Sequence, residues 1–257
     1  MIDDFRRLDR ELEKLRKKIK GLEDYKVSSE VFDKSTLLTL YYLANKGYID
    51  ILDGVIKTGK EANVFFGEGR DGEELAVKIH RVTTGDYKSF LKYIEGDPRF
   101  RDIKKSRRRV IYTWVRKEYV NLRRAREAKV RVPEAVAYRN NVLIMRFIGK
   151  DRIPAPMLKE YEMKDPEAML EEILKQAGRL YRKAHLVHAD LSEYNILVHR
   201  GRPVIIDLSQ AVVREHPHAD AFLHRDVSNL VRFFKDYVEI TEEEVYGRIT
   251  GGRAWNT

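Results

Sequence analysis

The chain has 257 residues, no cysteine, and 50 Lys or Arg against 41 Asp or Glu, a formal charge of +9. That length buries a sizeable core in one large domain or two small lobes, and the lack of cysteine excludes a disulfide scaffold, a thiolate nucleophile and a cysteine zinc site. With 43% hydrophobic and 35% charged residues, an acidic start that is no signal peptide, and no run near the ~20 apolar residues of a membrane helix, the expectation is a globular, cytoplasmic protein with no membrane partner.

In chain order, Phe5, Leu8, Leu12, Leu15, Ile19 and Leu22 recur at spacings of three and four. They form one apolar stripe on a helix that docks on its own domain or makes a short coiled-coil seam with a partner. A second helix is expected over 34–46, ended by Gly47. Residues 1–48 therefore read as an N-terminal helical extension. Residues 49–57, 61–67 and 74–80 look like strands, with a hairpin turn at 68–72. The stretch 83–109 has no clean period and holds Gly85, Gly96, Asp97 and Pro98, which predicts a long, mobile loop of the kind that is usually functional. A helix over 112–129 and strands at 136–138 and 142–147 complete an N-terminal lobe spanning 49–148.

After a connector at 149–156, Leu170, Ile173, Leu174, Ala177, Leu180, Tyr181 and Ala184 share one helix face. Short apolar pieces at 195–199 and 204–207 and a helix over about 221–237 follow, and the tail after Ile240 carries no clear signal. Strands first and helices afterwards give a two-lobed α+β protein whose second lobe is 149–257. Between Arg99 and Arg131 stand fourteen Lys or Arg and three acids, an excess larger than the net charge of the chain. Such a segment suits a polyanion such as RNA, or else a solvated helix face.

The densest chemical signal is His188-Ala189-Asp190-Leu191-Ser192-Glu193-Tyr194-Asn195, followed by an apolar strand ending at Asp207. Phosphoryl transfer from ATP needs a positioned nucleophile and a neutralised triphosphate, and an Asp, an Asn five residues on and a second Asp supply a base and two metal ligands. Lys78 lies inside the apolar strand Leu75-Ala76-Val77-Lys78-Ile79. A buried ammonium needs a carboxylate, for which Glu118 is the better candidate and Glu127 the weaker. Between two strands, Thr58-Gly59-Lys60-Glu61 offers backbone N–H groups and side chains to phosphates. Gly54 to Lys60 imitates the start of a Walker A loop, but Glu61 stands where Ser or Thr must hold magnesium, and a hairpin rather than a helix follows. His216, His218 and His224 read as packing or surface residues, since two histidines around a proline make poor ligand geometry.

Thr58-Gly-Lys-Glu-Ala-Asn-Val-Phe65, Tyr93-Ile-Glu-Gly-Asp-Pro-Arg-Phe100, His188 to Asn195, Asp207-Leu-Ser-Gln-Ala211, His216-Pro-His218 and Phe222-Leu-His-Arg-Asp226 together resemble the RIO family of atypical serine/threonine protein kinases, in its RIO-one subgroup. The resemblance covers about residues 35–237. It implies a bilobal kinase-like fold that binds ATP with Mg2+ or Mn2+. Under it Lys78 holds the α and β phosphates and Glu118 pairs with it, Asp190 is the catalytic base, and Asn195 and Asp207 hold metal. Met145 lines the adenine site, and backbone groups of Arg146 and Ile148 read the base edge; Arg146 departs from the acidic residue expected there. Asp226 resembles the buried Asp that anchors the catalytic loop. The family also implies a role in small ribosomal subunit maturation, with pre-ribosomal RNA as partner, ATPase turnover that includes an aspartyl phosphate at Asp207, and serine autophosphorylation, for which Ser106, then Ser89, are candidates. Ala189 stands where ordinary kinases place the Arg that reads a phosphorylated activation loop. The competing readings are a small-molecule kinase of the aminoglycoside type and an RNA-binding assembly factor clamped by a nucleotide it does not turn over.

Overall fold

The computed structural model describes residues 32–82, 87–100 and 106–255; the helix expected over residues 5–22 lies outside them. The described residues fall into two compact units, one drawn from within Met1–Tyr87, Lys104–Tyr119 and Ala135–Phe147, the other from within Lys88–Ile103, Val120–Glu134 and Ile148–Thr257.

The first unit is built on helix α1 (Lys34–Asn45) and a five-stranded antiparallel sheet of β1 (Ile51–Thr58), β2 (Ala62–Glu68), β3 (Glu74–His80), β4 (Ala135–Arg139) and β5 (Val142–Arg146), in the order β1-β2-β3-β5-β4. Asp33 starts α1 by accepting the Thr36 N–H at 2.7 Å, and Gly47 leaves it at φ 79°, a left-handed conformation that costs glycine least. Leu40 and Leu43 of α1 pack with Leu75, Val77, Ile79, Ala137, Val142 and Ile144 of the sheet. Strand alternation then turns Ala76, Lys78 and His80 to the opposite face. Asn141, fully buried, donates to Thr36 Oγ1 at 2.9 Å and to the His80 carbonyl at 2.8 Å, so α1 is tied to the end of β3.

The stretch expected to be a loop is largely helical where it is described. Tyr87–Phe90, Leu91–Ile94 and Pro98–Phe100 form single turns, and α2 runs Arg107–Glu127, starting five residues before the expected Tyr112. Turns this short leave no period to read. They are held by buried Phe90, Tyr93, Ile94 and Phe100, while Val110 and Ile111, both buried, fix the earlier start of α2. Within the second unit, Tyr93 stacks on Phe222 at 5.1 Å. His216 Nε2 donates to the Glu95 carbonyl at 2.8 Å, its Nδ1 accepting the His218 N–H at 3.1 Å. Gly96, at φ 92°, faces Pro217 so closely that a Cβ would sit 2.7 Å from its Cδ. The His216-Pro217-His218 segment is thus a packing surface, and among the described residues no cluster of three or more His, Asp or Glu could hold a metal.

The connector carries a two-residue ladder, β6 (Gly149–Lys150) with β7 (Ile153–Pro154). The second unit continues with α3 (Pro166–Arg182), β8 (Leu186–Val187), β9 (Ile196–His199), β10 (Arg202–Ile205), β11 (Val212–Val213), α4 (Ala219–Phe234) and α5 (Glu242–Thr250). β9 pairs with β10 and β8 with β11, each antiparallel. Asp165 caps α3 through the Ala168 N–H at 2.9 Å. Helix α5, which no sequence expectation covered, starts in a Thr241–Glu244 capping box and ends at Gly251 with φ 83°; it packs on α3 and α4 through buried Val245, Tyr246 and Ile249. Among the described residues no helix is long and apolar enough to cross a membrane.

Candidate active site

In the first unit the register of β2, β3 and β5 places Val64 beside Lys78, Phe66 beside Ala76, Lys78 beside Leu143 and Ala76 beside Met145. These side chains share the face away from the α1 core. Lys78, 7% exposed, has its Nζ 2.8 Å from Glu118 Oε1, and His80 Nε2 lies 3.7 Å from Glu118 Oε2. Glu127 ends α2 on the surface, where it faces Arg123 at 3.8 Å. Thr58, Gly59, Lys60 and Glu61 are exposed at the β1–β2 turn. Asn63, fully buried, accepts the Gly59 N–H at 3.2 Å, and a Cβ on Gly59 would stand 2.8 Å from the Ala62 carbonyl. Glycine there is set by a close backbone approach. The Arg146 guanidinium lies 3.1 Å from Glu73, so its charge is answered locally by the residue just before β3.

In the second unit Asn195 Nδ2 donates to the Asp190 carbonyl at 2.8 Å and to Asp190 Oδ2 at 3.1 Å, with Gln210 Nε2 a further 3.3 Å donor to the same oxygen. The Asn195 carbonyl accepts the Ile206 N–H at 2.9 Å, which sets Asn195 beside the residue that precedes Asp207. Ser209 Oγ donates to Asp207 Oδ1 at 2.6 Å. His188 lies 3.0 Å from the Ile206 carbonyl. Asp190, Asn195 and Asp207 are therefore brought together, as are Lys78 and Glu118 in the first unit. The Ile148 carbonyl accepts the Ala155 N–H at 2.9 Å.

Two of these backbone positions sit in left-handed space, Ala189 at φ 66° and Asp207 at φ 59°, which a non-glycine residue holds only when its surroundings fix it. Buried Asp226 fixes the first: its carboxylate accepts the Ala189 N–H at 2.8 Å and the Leu191 N–H at 2.7 Å, and Arg225 donates to the Ala189 carbonyl. Burial pushes the Asp226 carboxyl up to about 7 against the two N–H bonds. Burial also raises Asp190, with the Asp207 charge adding to it, while His188 and the Asn195 hydrogen bond oppose. The second position is braced by a residue that sequence reasoning missed. Asn121 on α2, fully buried, donates to the Leu208 carbonyl at 2.9 Å and the Ala211 carbonyl at 2.8 Å. No spacing announces it, because its partners lie 87 and 90 residues away.

A family model described as RIO domain matches residues 63–245. The chain is 42% identical to the RIO-type serine/threonine-protein kinase Rio1 of Haloferax volcanii, over 96% of its own length and 85% of that protein. Against Rio1 of Methanocaldococcus jannaschii it is 46% identical, covering 95% of this chain and 84% of the relative. A Rio2 kinase from Chaetomium thermophilum superposes with a TM-score of 0.63 at 23% identity, over 83% of this chain and 67% of that one; at that identity it speaks for the fold, an α+β kinase-like fold with a sheet unit and a mainly helical unit. The chain belongs to the RIO family of atypical kinases, in its RIO-one subgroup.

Proposed function

We propose that the chain is an ATP-dependent serine/threonine kinase that also turns over ATP on its own residues and acts in maturation of the small ribosomal subunit. The observation that carries this reading is Asp190, whose two chain neighbours Ala189 and Leu191 are anchored by Asp226 and whose carbonyl and carboxylate are held by Asn195. A carboxylate raised by burial and fixed on both sides is suited to accept the proton of an attacking hydroxyl. Lys78, oriented by Glu118, binds the α and β phosphates, and the exposed Thr58 and Lys60 side chains on either side of Gly59 reach the oxygens of the phosphate chain. Met145 and Ala76 offer an apolar face to adenine, and the backbones of Arg146 and Ile148 its edge. For Mg2+ or Mn2+ the residues fit: Asp207 and Asn195 offer the hard oxygen donors these ions take, and since Asn195 Nδ2 serves Asp190, its Oδ1 is the atom left for a cation. Such an ion, when bound, neutralises charge on the phosphates. The hydroxyl acceptor includes Ser106, exposed just before α2, where a phosphate meets a helix N-terminus; Ser89 is half-buried and second. The excess of Lys and Arg over residues 99–131 supports pre-ribosomal RNA as partner.

A structure of the Chaetomium thermophilum Rio2 kinase is described as an ADP/Mg2+-phosphoaspartate complex, and the same route is open to Asp207 here. The test is single-turnover incubation with γ-labelled ATP and magnesium for wild type, Asp190→Ala and Asp207→Ala. Acid-stable label lost in Asp190→Ala supports hydroxyl phosphorylation. Hydroxylamine-labile label lost in Asp207→Ala supports ATPase turnover through an aspartyl phosphate. Tight ATP binding with neither label overturns the enzymatic reading in favour of a nucleotide clamp.

A further inference from the structure

Among the described residues several surface cations are answered by carboxylates: Arg108 by Asp33, Arg123 by Glu127, Arg126 by Glu134, Arg146 by Glu73 and Arg248 by Glu171. A group laid on an aromatic ring is not. In the first unit the Arg139 guanidinium lies 3.6 Å from the Tyr42 ring centre, with Lys46 Nζ 5.8 Å from the same ring, and among the described residues neither cation pairs with a carboxylate. Tyr42 remains 38% exposed. Arg139 ends β4, the last strand of the sheet, and alternation sends its neighbour Tyr138 to the other face, where it packs on Tyr119 at 4.6 Å and is itself 38% exposed. The sheet edge is therefore flanked by two partly exposed tyrosines and two cations that no carboxylate pairs among the described residues. The turn beside it is held rigid by Asn140 donating to Thr39 Oγ1 at 2.9 Å.

We propose that this edge, formed by Tyr42, Lys46, Tyr138 and Arg139, is a binding site for unpaired RNA; the assignment deepens the ribosomal-RNA reading above and rests on it. Unstacked bases lie on tyrosine rings and on guanidinium planes, and the phosphates that join them take lysine and arginine. A duplex hides its base faces and an acidic peptide without aromatic residues has no aromatic faces to stack, so both use only half of what the edge offers. Arg139, planar and already laid on an aromatic ring, keeps its N–H fork for phosphate or a base edge.

The test measures binding of the full chain to a labelled short oligouridine, to duplex RNA of equal length and to an acidic peptide, across a salt series. Tyr42→Leu is expected to weaken oligouridine binding about tenfold and to leave duplex binding within about twofold. Arg139→Gln and Lys46→Gln each lower the salt slope for oligouridine by about 1. All three side chains are surface groups, so unchanged thermal unfolding and ATP turnover certify the fold of each variant. Oligouridine affinity that is indifferent to both Tyr42→Leu and Arg139→Gln overturns this site while leaving RNA binding elsewhere on the chain. Wild-type protein that binds neither RNA at low salt overturns the RNA reading itself. Preference for the acidic peptide, lost in Arg139→Gln, overturns it in favour of a protein partner.

Discussion

Asp226 anchors the backbone on both sides of Asp190. Replacing it by Ala removes the acceptor of two buried N–H groups, Ala189 and Leu191. Each orphaned group costs about 1–3 kcal/mol; relief of a buried carboxylate offsets part of this, so the net loss is about 3 kcal/mol, or roughly 6–12 °C in Tm. Asp226→Asn keeps one acceptor and turns its NH2 toward the other N–H, so it loses about half as much. Phosphoryl transfer, assayed well below either Tm, should fall in both variants by more than their folded fraction explains, since Asp190 sits between the two anchored residues. The same carboxyl sets a pH dependence. Its folded value is about 7, above the ordinary ~3.9, so the native state holds an extra proton in between. The stability this contributes is complete below about pH 4 and is lost as the pH rises through about 7, at up to about 1.4 kcal/mol per pH unit. Urea midpoints taken from pH 4 to 8 should show that decline in wild type and not in Asp226→Asn. An Asp226→Ala protein with wild-type midpoint and turnover, or a decline that persists in Asp226→Asn, would refute the reasoning.

Three further outcomes follow from the packing. Glu118→Leu leaves Lys78 buried without its carboxylate and should cost about 3–5 kcal/mol, whereas adding Lys78→Met should recover most of that stability and no activity; urea unfolding beside turnover checks both halves. Gly59→Ala presses a Cβ toward the Ala62 carbonyl and should raise the KM for ATP about tenfold, equivalent to about 1.4 kcal/mol, with kcat nearly unchanged in steady-state assays. Thr241→Ala breaks the capping box of α5 and should cost about 1 kcal/mol, a Tm drop of about 2–4 °C by calorimetry, without touching turnover.

The parts of the fold that were legible in sequence are those whose signal is local. The apolar run around Lys78 and the Asn45-Lys46-Gly47 stop each announce themselves within a few residues, and β3 and α1 form there. The start of α2 was misplaced because Arg107, Arg108 and Arg109 look like loop until Val110 and Ile111 are seen to be buried. Helix α5 had a readable signature, Thr241 three residues before Glu244 and Gly251 beyond. Reading the tail for apolar period alone passes over it, since Val245, Tyr246 and Ile249 are too few to register one.

The candidate site divides in the same way, but for a different physical reason. Asp190, Asn195 and Asp207 stand in one short stretch because they must touch one another, so a sequence pattern contains them. What holds their backbone does not have to be near in the chain. Ala189 and Asp207 occupy left-handed conformations that cost about 1 kcal/mol or more each, and neither is a glycine, so the chain cannot reach these shapes by local preference. Both are imposed from outside the segment: by Asp226 and Arg225 on α4 for Ala189, and by Asn121 on α2 for the residues that follow Asp207. Where ordinary kinases spend this position on an arginine that waits for a phosphate, this chain has Ala189 fully buried with an arginine from α4 on its carbonyl. The segment around Asp190 is thereby held in its left-handed turn by α4, through Asp226 and Arg225, with no side chain at position 189 that could pair with a phosphate.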